Sequence, residues 1–271
     1  MKNLKMYLAS FLTVLGSIVL TSCDNNSVDS TAASRMTVKM SDAPGDYKEV
    51  NIDVRDIMIK STTNADDQGW VSIGNLPSQG KVYNLLSLTG GINAALADKE
   101  VAPGYVGQIR LVLGDQNTIV LKDGTSYPLK TPSAQQSGLK IQVNQTLVAG
   151  VTYDYLLDFD VNRSIVVQAG NSGIYNLSPV IRVTTAATSG VIKGMVSNIV
   201  AAKQVMVSIQ VGSETVSTFA DAQGMFQLNG VPAGIYTVTL TPDITSELLV
   251  KTIPGVVVVN GQVTTMDAVT L

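Results

Sequence analysis

Apolar residues recur at every second position through most of this chain. Val205, Val207, Ile209 and Val211 alternate with Met206, Ser208 and Gln210. The same period runs through Met36, Val38 and Met40, through Ile109, Leu111 and Leu113, and through Tyr153, Tyr155, Leu157 and Phe159. A period of two sends one set of side chains inward and the other outward, which is the signature of a half-buried strand. Gly-, Pro-, Asn- and Asp-rich turn signals interrupt these runs at intervals of about ten residues, the spacing expected of a sandwich or barrel. Asp123-Gly124 and Asn260-Gly261 read as hairpin turns. Helical spacing occurs only where Leu85, Leu88, Ile92 and Leu96 follow one another at three or four residues, and Gly90-Gly91 interrupts it. The expectation is one or two short helical turns over residues 82–88 and 92–97 in an otherwise β chain.

Composition narrows the chemistry. The 271 residues contain no His and one Cys, so His-based zinc sites, Ser-His-Asp catalysis and an intrachain disulfide are excluded. Charged residues make up 14%, against about 25% in an average soluble protein. The formal charge is −3, which offers nucleic acid no basic stripe. Carboxylates, Lys, Tyr and Ser remain as potential catalytic groups.

The single Cys lies behind Lys2 and Lys5, an apolar stretch over residues 6–20, and Leu20-Thr21-Ser22-Cys23. The apolar stretch is shorter than a comfortable membrane span of about 20 residues and suits a secretory signal. Its end resembles a bacterial lipobox. The resemblance implies signal-peptidase cleavage before Cys23 and acylation of Cys23, which would tether the chain to a membrane. Removing Lys2 and Lys5 would take the side-chain charge to 16 minus 21, or −5. Residues 1–22 are thus expected to form the signal peptide and residues 23–35 a flexible polar tether. The expected address is the cell envelope, with the outer membrane or cell surface favoured over the inner membrane; Asp24, beside the Cys, leaves the leaflet open.

Residues 36–185 are expected to form a first β-rich domain. Ser41-Asp42-Ala43-Pro44, Asn84-Leu85-Leu86-Ser87-Leu88, Pro103-Gly104-Tyr105, Gln108-Ile109-Arg110-Leu111-Val112-Leu113, Gln136-Ser137-Gly138-Leu139-Lys140, Leu157-Asp158-Phe159-Asp160 and Ser178-Pro179-Val180-Ile181-Arg182 run through it in that order. In these segments the chain resembles DUF4382, a domain of unknown function found in bacterial lipoproteins. That resemblance implies a β fold and an envelope location but no activity.

Residues 190–271 are expected to form a second sandwich. They carry only eight charges: Lys193, Lys203, Lys251, Glu214, Glu247, Asp221, Asp243 and Asp267. Asp221-Ala222-Gln223-Gly224-Met225-Phe226, followed by Pro232-Ala233-Gly234-Ile235-Tyr236, resembles the carboxypeptidase regulatory-like domain, a transthyretin-like sandwich that is not a peptidase. The resemblance implies a turn at Gly224 and core packing by Phe226. It also places the domain among folds grouped with starch-binding-like modules. The fold class expected is two antiparallel β-sandwich domains, the first with one or two short helices, after a lipoprotein signal peptide.

Asp158 and Asp160 share one strand face and are the candidate metal or paired-carboxylate residues, with Asp42, Asp46, Asp53 and Asp56 as further oxygen donors. A solvated face paired with Arg163 or Arg110 is the simpler expectation, so no metal, cofactor or catalytic residue is assigned. Trp70 offers a flat face for a sugar but is expected to pack. Tyr47, Tyr83, Tyr105 and Tyr127 define no platform. The function expected is non-catalytic binding or adhesion, with a glycan or protein ligand. A surface-fibre subunit assembled by strand exchange, with processing at Arg35, is the first alternative. A carboxylate-based glycosidase is the second.

Overall fold

The structure is a computed structural model, and it describes residues 32–43, 45–64, 66–131, 138–168, 173–199 and 203–271. Cys23, the signal peptide, most of the expected tether, Pro44 and Gln136-Ser137 lie outside the described residues.

The chain is mainly β, and the strands lie where apolar residues alternate. The first thirteen are β1 Ser34–Ala43, β2 Glu49–Lys60, β3 Trp70–Ser72, β4 Lys81–Asn84, β5 Ala94–Val101, β6 Gly104–Leu113, β7 Thr118–Val120, β8 Ser126–Lys130, β9 Leu139–Leu147, β10 Thr152–Asp160, β11 Ile165–Val167, β12 Tyr175–Leu177 and β13 Ile181–Thr185. They make two sheets. One has four strands in the order β13-β10-β1-β5. The other runs β11-β12-β8-β7-β2-β6-β9, with β3 and β4 also paired to β2. Met36, Val38 and Met40 of β1, Ile52 and Ile57 of β2, Ile109 and Leu111 of β6, and Leu157 and Phe159 of β10 meet in one apolar core shared by both sheets.

The remaining strands are β14 Gly190–Met195, β15 Val205–Val211, β16 Glu214–Phe219, β17 Met225–Val231, β18 Gly234–Pro242, β19 Lys251–Val258 and β20 Val263–Thr265. They form a three-stranded sheet, β17-β14-β20, and a four-stranded sheet, β16-β15-β18-β19. A second core gathers Ile192, Val207, Phe226, Leu228, Val238 and Leu240 between them. Gly224 turns with φ +80°, and a Cβ there would lie 2.1 Å from the Val196 carbonyl oxygen, so only glycine fits. Asp221 closes the same turn by accepting from the amides of Gln223 and Met225. Both halves belong to one compact unit.

Most strand pairs are antiparallel, as expected, but three are parallel: β1 with β10, β8 with β12, and β14 with β20. Two local expectations are corrected. Residues 92–97 do not form a helical turn; they run into β5, which pairs with β1. Gly90 and Gly91, at φ +65° and +96°, end the preceding turn, and Ile92 is 60% exposed, so the stripe that imitated a helix has no continuous apolar face. Within residues 82–88 the helical part is a single 3₁₀ turn, Leu85–Ser87, capped by the Asn84 side chain. The α-helix among the described residues is the four-residue α1, Val161–Ser164. Asn260-Gly261 makes a turn, with the Gln262 amide bonded to the Val259 carbonyl, but not a hairpin. The strands it joins, β19 and β20, belong to different sheets, so it is a crossover.

Candidate functional site

The outward face of β10 carries Asp154, Leu156, Asp158 and Asp160, all half-buried, while Tyr155, Leu157 and Phe159 point into the core. Those four are half-buried rather than exposed because the second half of the chain docks against this face. Arg182 makes the joint. Its register partner across β13 is Asp158, and its Nη2 donates to Asp158 Oδ2 at 2.7 Å. The same guanidinium donates to the carbonyls of Gly230 and Asn229 on β17. Asp158 Oδ1 accepts from the Ser41 hydroxyl at 2.8 Å. A planar guanidinium suits this task because its fixed fork can reach a carboxylate and two carbonyls together.

Asp160 turns to a different task. Its Oδ1 accepts from the Arg163 amide at 3.0 Å and caps α1, and Arg163 lies 3.9 Å from its other oxygen. The two candidate carboxylates are therefore on one face, as their spacing requires, but each is engaged separately. The expectation named Arg163 and Arg110 as partners. Arg163 meets Asp160, whereas Arg110 pairs with Asp67 and Arg182 takes Asp158. The other acidic residues scatter. Asp46 pairs with Lys122, Asp53 with Arg55 at 2.6 Å, and Asp56 accepts from the Ser72 hydroxyl. Among the described residues no three His, Cys, Asp or Glu side chains converge on a metal-sized site.

Asp42 behaves differently. It is 3% exposed, and neither carboxylate oxygen makes a hydrogen bond. Burial, and after it the Asp158 carboxylate, push its carboxyl well above the usual carboxylate range; the Val161 amide pulls the other way without reaching hydrogen-bond geometry. In the sequence Asp42 reads as a spare oxygen donor and as part of the Ser41-Asp42-Ala43-Pro44 segment, and neither reading implies a sealed carboxyl. Its burial at the end of an alternating strand was the signal to follow.

Trp70 packs rather than presenting a platform. The Arg110 guanidinium lies 4.0 Å from its ring centroid and Lys60 Nζ 5.6 Å. Tyr127 touches Tyr175 at 5.0 Å between centroids, and Lys81 covers Tyr83. Arg35 is part of β1 rather than of a free tether, and its guanidinium grips both oxygens of Asp98.

Beside the Arg182 joint the two halves leave a cleft of about 290 Å³. Leu156, Lys39 and Asp154 belong to its first-half wall, with Thr184 of β13. Gln227 and Gln262 belong to the second-half wall.

Residues 33–179 match the family model described as "Domain of unknown function (DUF4382)", more than half of the chain. The chain belongs to the DUF4382 family. The DUF4382 match supplies Lys39, Asp154, Leu156 and Asp158 and stops before β13, which carries Arg182 and Thr184. No curated protein matches the chain. Similar solved structures include the Bacillus anthracis TIE protein, at 10% identity and a TM-score of 0.22 over 88% of this chain and 33% of that one. The major pilin subunit BcpA of Bacillus cereus matches at 10% identity and 0.22, over 86% and 69%. A protein described as a putative adhesin from Bacteroides ovatus matches at 10% identity and 0.20, over 93% and 97%. The chain spans about a third of the length of the first of these. At such scores the likeness assigns no role.

Proposed function

We propose that this DUF4382 protein is a lipid-anchored component of the bacterial cell envelope that works by binding rather than by turnover, with adhesion as its broad role. The observation that carries the anchor is the position of the only Cys: Cys23 follows Leu20-Thr21-Ser22 and an apolar stretch too short to span. Among the described residues no helix is long and apolar enough to cross a membrane. Acylation of Cys23 is the attachment proposed. The carboxypeptidase regulatory-like assignment of residues 190–271 belongs to the same reading. It is supported by the Gly224 turn and by Phe226, which is 1% exposed in the second core.

Binding is favoured over hydrolysis by the state of the carboxylates. A glycosidase needs one carboxyl to hold a proton and another to stay ionised beside the scissile bond. Asp158 is held by Arg182 and Ser41, Asp160 caps α1, and Asp42 is sealed from solvent. Expression of the full chain in a host that processes lipoproteins, with labelled palmitate, tests the anchor. The wild type should take up label and sediment with membranes. Cys23→Ala should remain unlabelled with its signal peptide uncleaved. Label retained by Cys23→Ala would remove the reading.

A further inference from the structure

We infer that the cleft beside the Arg182 joint is a saccharide-binding site sized for one or two sugar rings; the inference rests on the binding reading above and gives it a location. At about 290 Å³ the cleft lies at the low end of small-ligand pockets, which run from roughly 300 to 1,000 Å³. Its composition is amphipathic in the way a pyranose is. Leu156 supplies apolar surface for the C–H face of a ring. Its polar lining includes the Lys39 ammonium, the Asp154 carboxylate, the Thr184 hydroxyl and, among several amides, those of Gln227 and Gln262. Together they offer both donors and acceptors, as ring hydroxyls demand.

Two of these groups are unspent. Lys39 is exposed and forms no ion pair among the described residues. Thr184 Oγ1 is buried without a hydrogen-bond partner. Gly230 packs directly against Thr184, where a Cβ would come within 2.4 Å of Oγ1, so glycine is what lets β17 approach β13 at the floor of the cleft. The charge pattern points away from other ligands. One cation balanced by one anion makes no phosphate cradle, and the aromatic residue on the lining, Tyr155, is 2% exposed and points into the core, so it offers no face to stack a base.

The test uses the full-length lipidated chain in detergent and a panel of glucose, galactose, mannose, N-acetylglucosamine, glucuronic acid and maltose. Saturation-transfer NMR followed by calorimetry should find at least one member binding with a Kd of about 1 mM or tighter. Lys39→Ala and Gln262→Ala, both at exposed positions, should each weaken that binding by about tenfold, 1.4 kcal/mol, without moving the melting temperature. Lys48→Ala, outside the cleft, should bind as wild type. Failure of every panel member to bind overturns the inference, as does binding unaffected by both cleft substitutions. Palmitate labelling of Cys23 reads the envelope assignment independently, so either claim can fall while the other stands.

Discussion

The first half of the molecule buries Asp42, Asp53 and Lys60, whereas the buried polar side chains described in residues 190–271 are the hydroxyls of Ser208 and Thr218. The first half manages its charges individually. Asp53 is matched by Arg55, and the Lys60 ammonium is wrapped by the Asn64 and Asp66 carbonyls and the Asp66 carboxylate. Asp42 is left alone. Buried charge costs free energy unless it is paired, so the first core is vulnerable to pH and to loss of a partner. Among its described residues the second half buries hydroxyls but no charged side chain, and its core is vulnerable chiefly to lost volume. The contrast teaches that two sandwiches joined in one unit need not share a mode of failure.

Phe226→Ala should give the largest effect, about 3–5 kcal/mol from cavity formation in the second core. Trp70, the only Trp, lies in the first half and makes fluorescence a reporter of that half alone. Far-UV circular dichroism follows both halves. The circular dichroism transition in urea should move to lower denaturant while part of the Trp70 transition persists. Coincident shifts of both signals would mean that the halves unfold as one body and would erase the comparison.

Arg182→Ala follows. It strands the Asp158 carboxylate, whose side chain is 12% exposed, and releases two carbonyls on β17. The expected cost is about 2–3 kcal/mol, near the lower edge of that for breaking a buried pair. The two optical transitions should separate further than in the wild type. Arg182→Lys should recover only part of the loss, because a single ammonium lacks the fork. Unchanged coupling in Arg182→Ala would move the joint elsewhere.

Asp42→Asn sharpens the pH side of the contrast. The folded-state pKa of Asp42 lies above its unfolded value, through burial first and the Asp158 charge second. The stability this gives is fully present below the unfolded carboxylate value and is lost as pH rises through the folded one. The amide mimics the protonated acid. The variant should therefore match the wild type in acid and exceed it increasingly towards neutral pH, as read by melting temperature across pH. A variant less stable than wild type at neutral pH would show that the carboxylate is ionised and held.

The smallest effect is expected at the crossover. Gly261 has φ +71°, and a Cβ there would meet nothing closer than 3.8 Å, so Gly261→Ala pays backbone strain alone, about 1 kcal/mol. A loss of several times that in urea titration would show that the turn is also packed.

Strand positions were legible because inward and outward faces alternate in the sequence, and β10 and β15 could be drawn from it nearly residue by residue. Pairing was not. Asn260-Gly261 has ideal hairpin chemistry, yet β20 pairs with β14 and β19 with β18, a choice made by two sheets closing over one core. Residues 92–97 read as helix by spacing, but from Ala94 onward they pair with the edge of β1. Of the candidate site, Asp158 and Asp160 could be placed on one face, but the partner of Asp158 could not be chosen among the arginines. Only the β10–β13 register sets Arg182 opposite it. The cleft could not be foreseen, since its walls come from strands well separated in sequence.

The parallel pairing of β1 with β10 also has a temporal meaning. Ser41 and Asp158 are 117 residues apart. At roughly 5–20 residues per second, β1 leaves the ribosome about 6–23 s before the strand that completes its flank. Throughout that delay Met36, Val38 and Met40 have no finished core to enter, and the strand's edge stands open to any other chain. Non-local closure of this kind slows folding. The segment nearest the proposed anchor thus waits 117 residues for its parallel partner, and the four-stranded sheet can close only once β10 and β13 have been delivered.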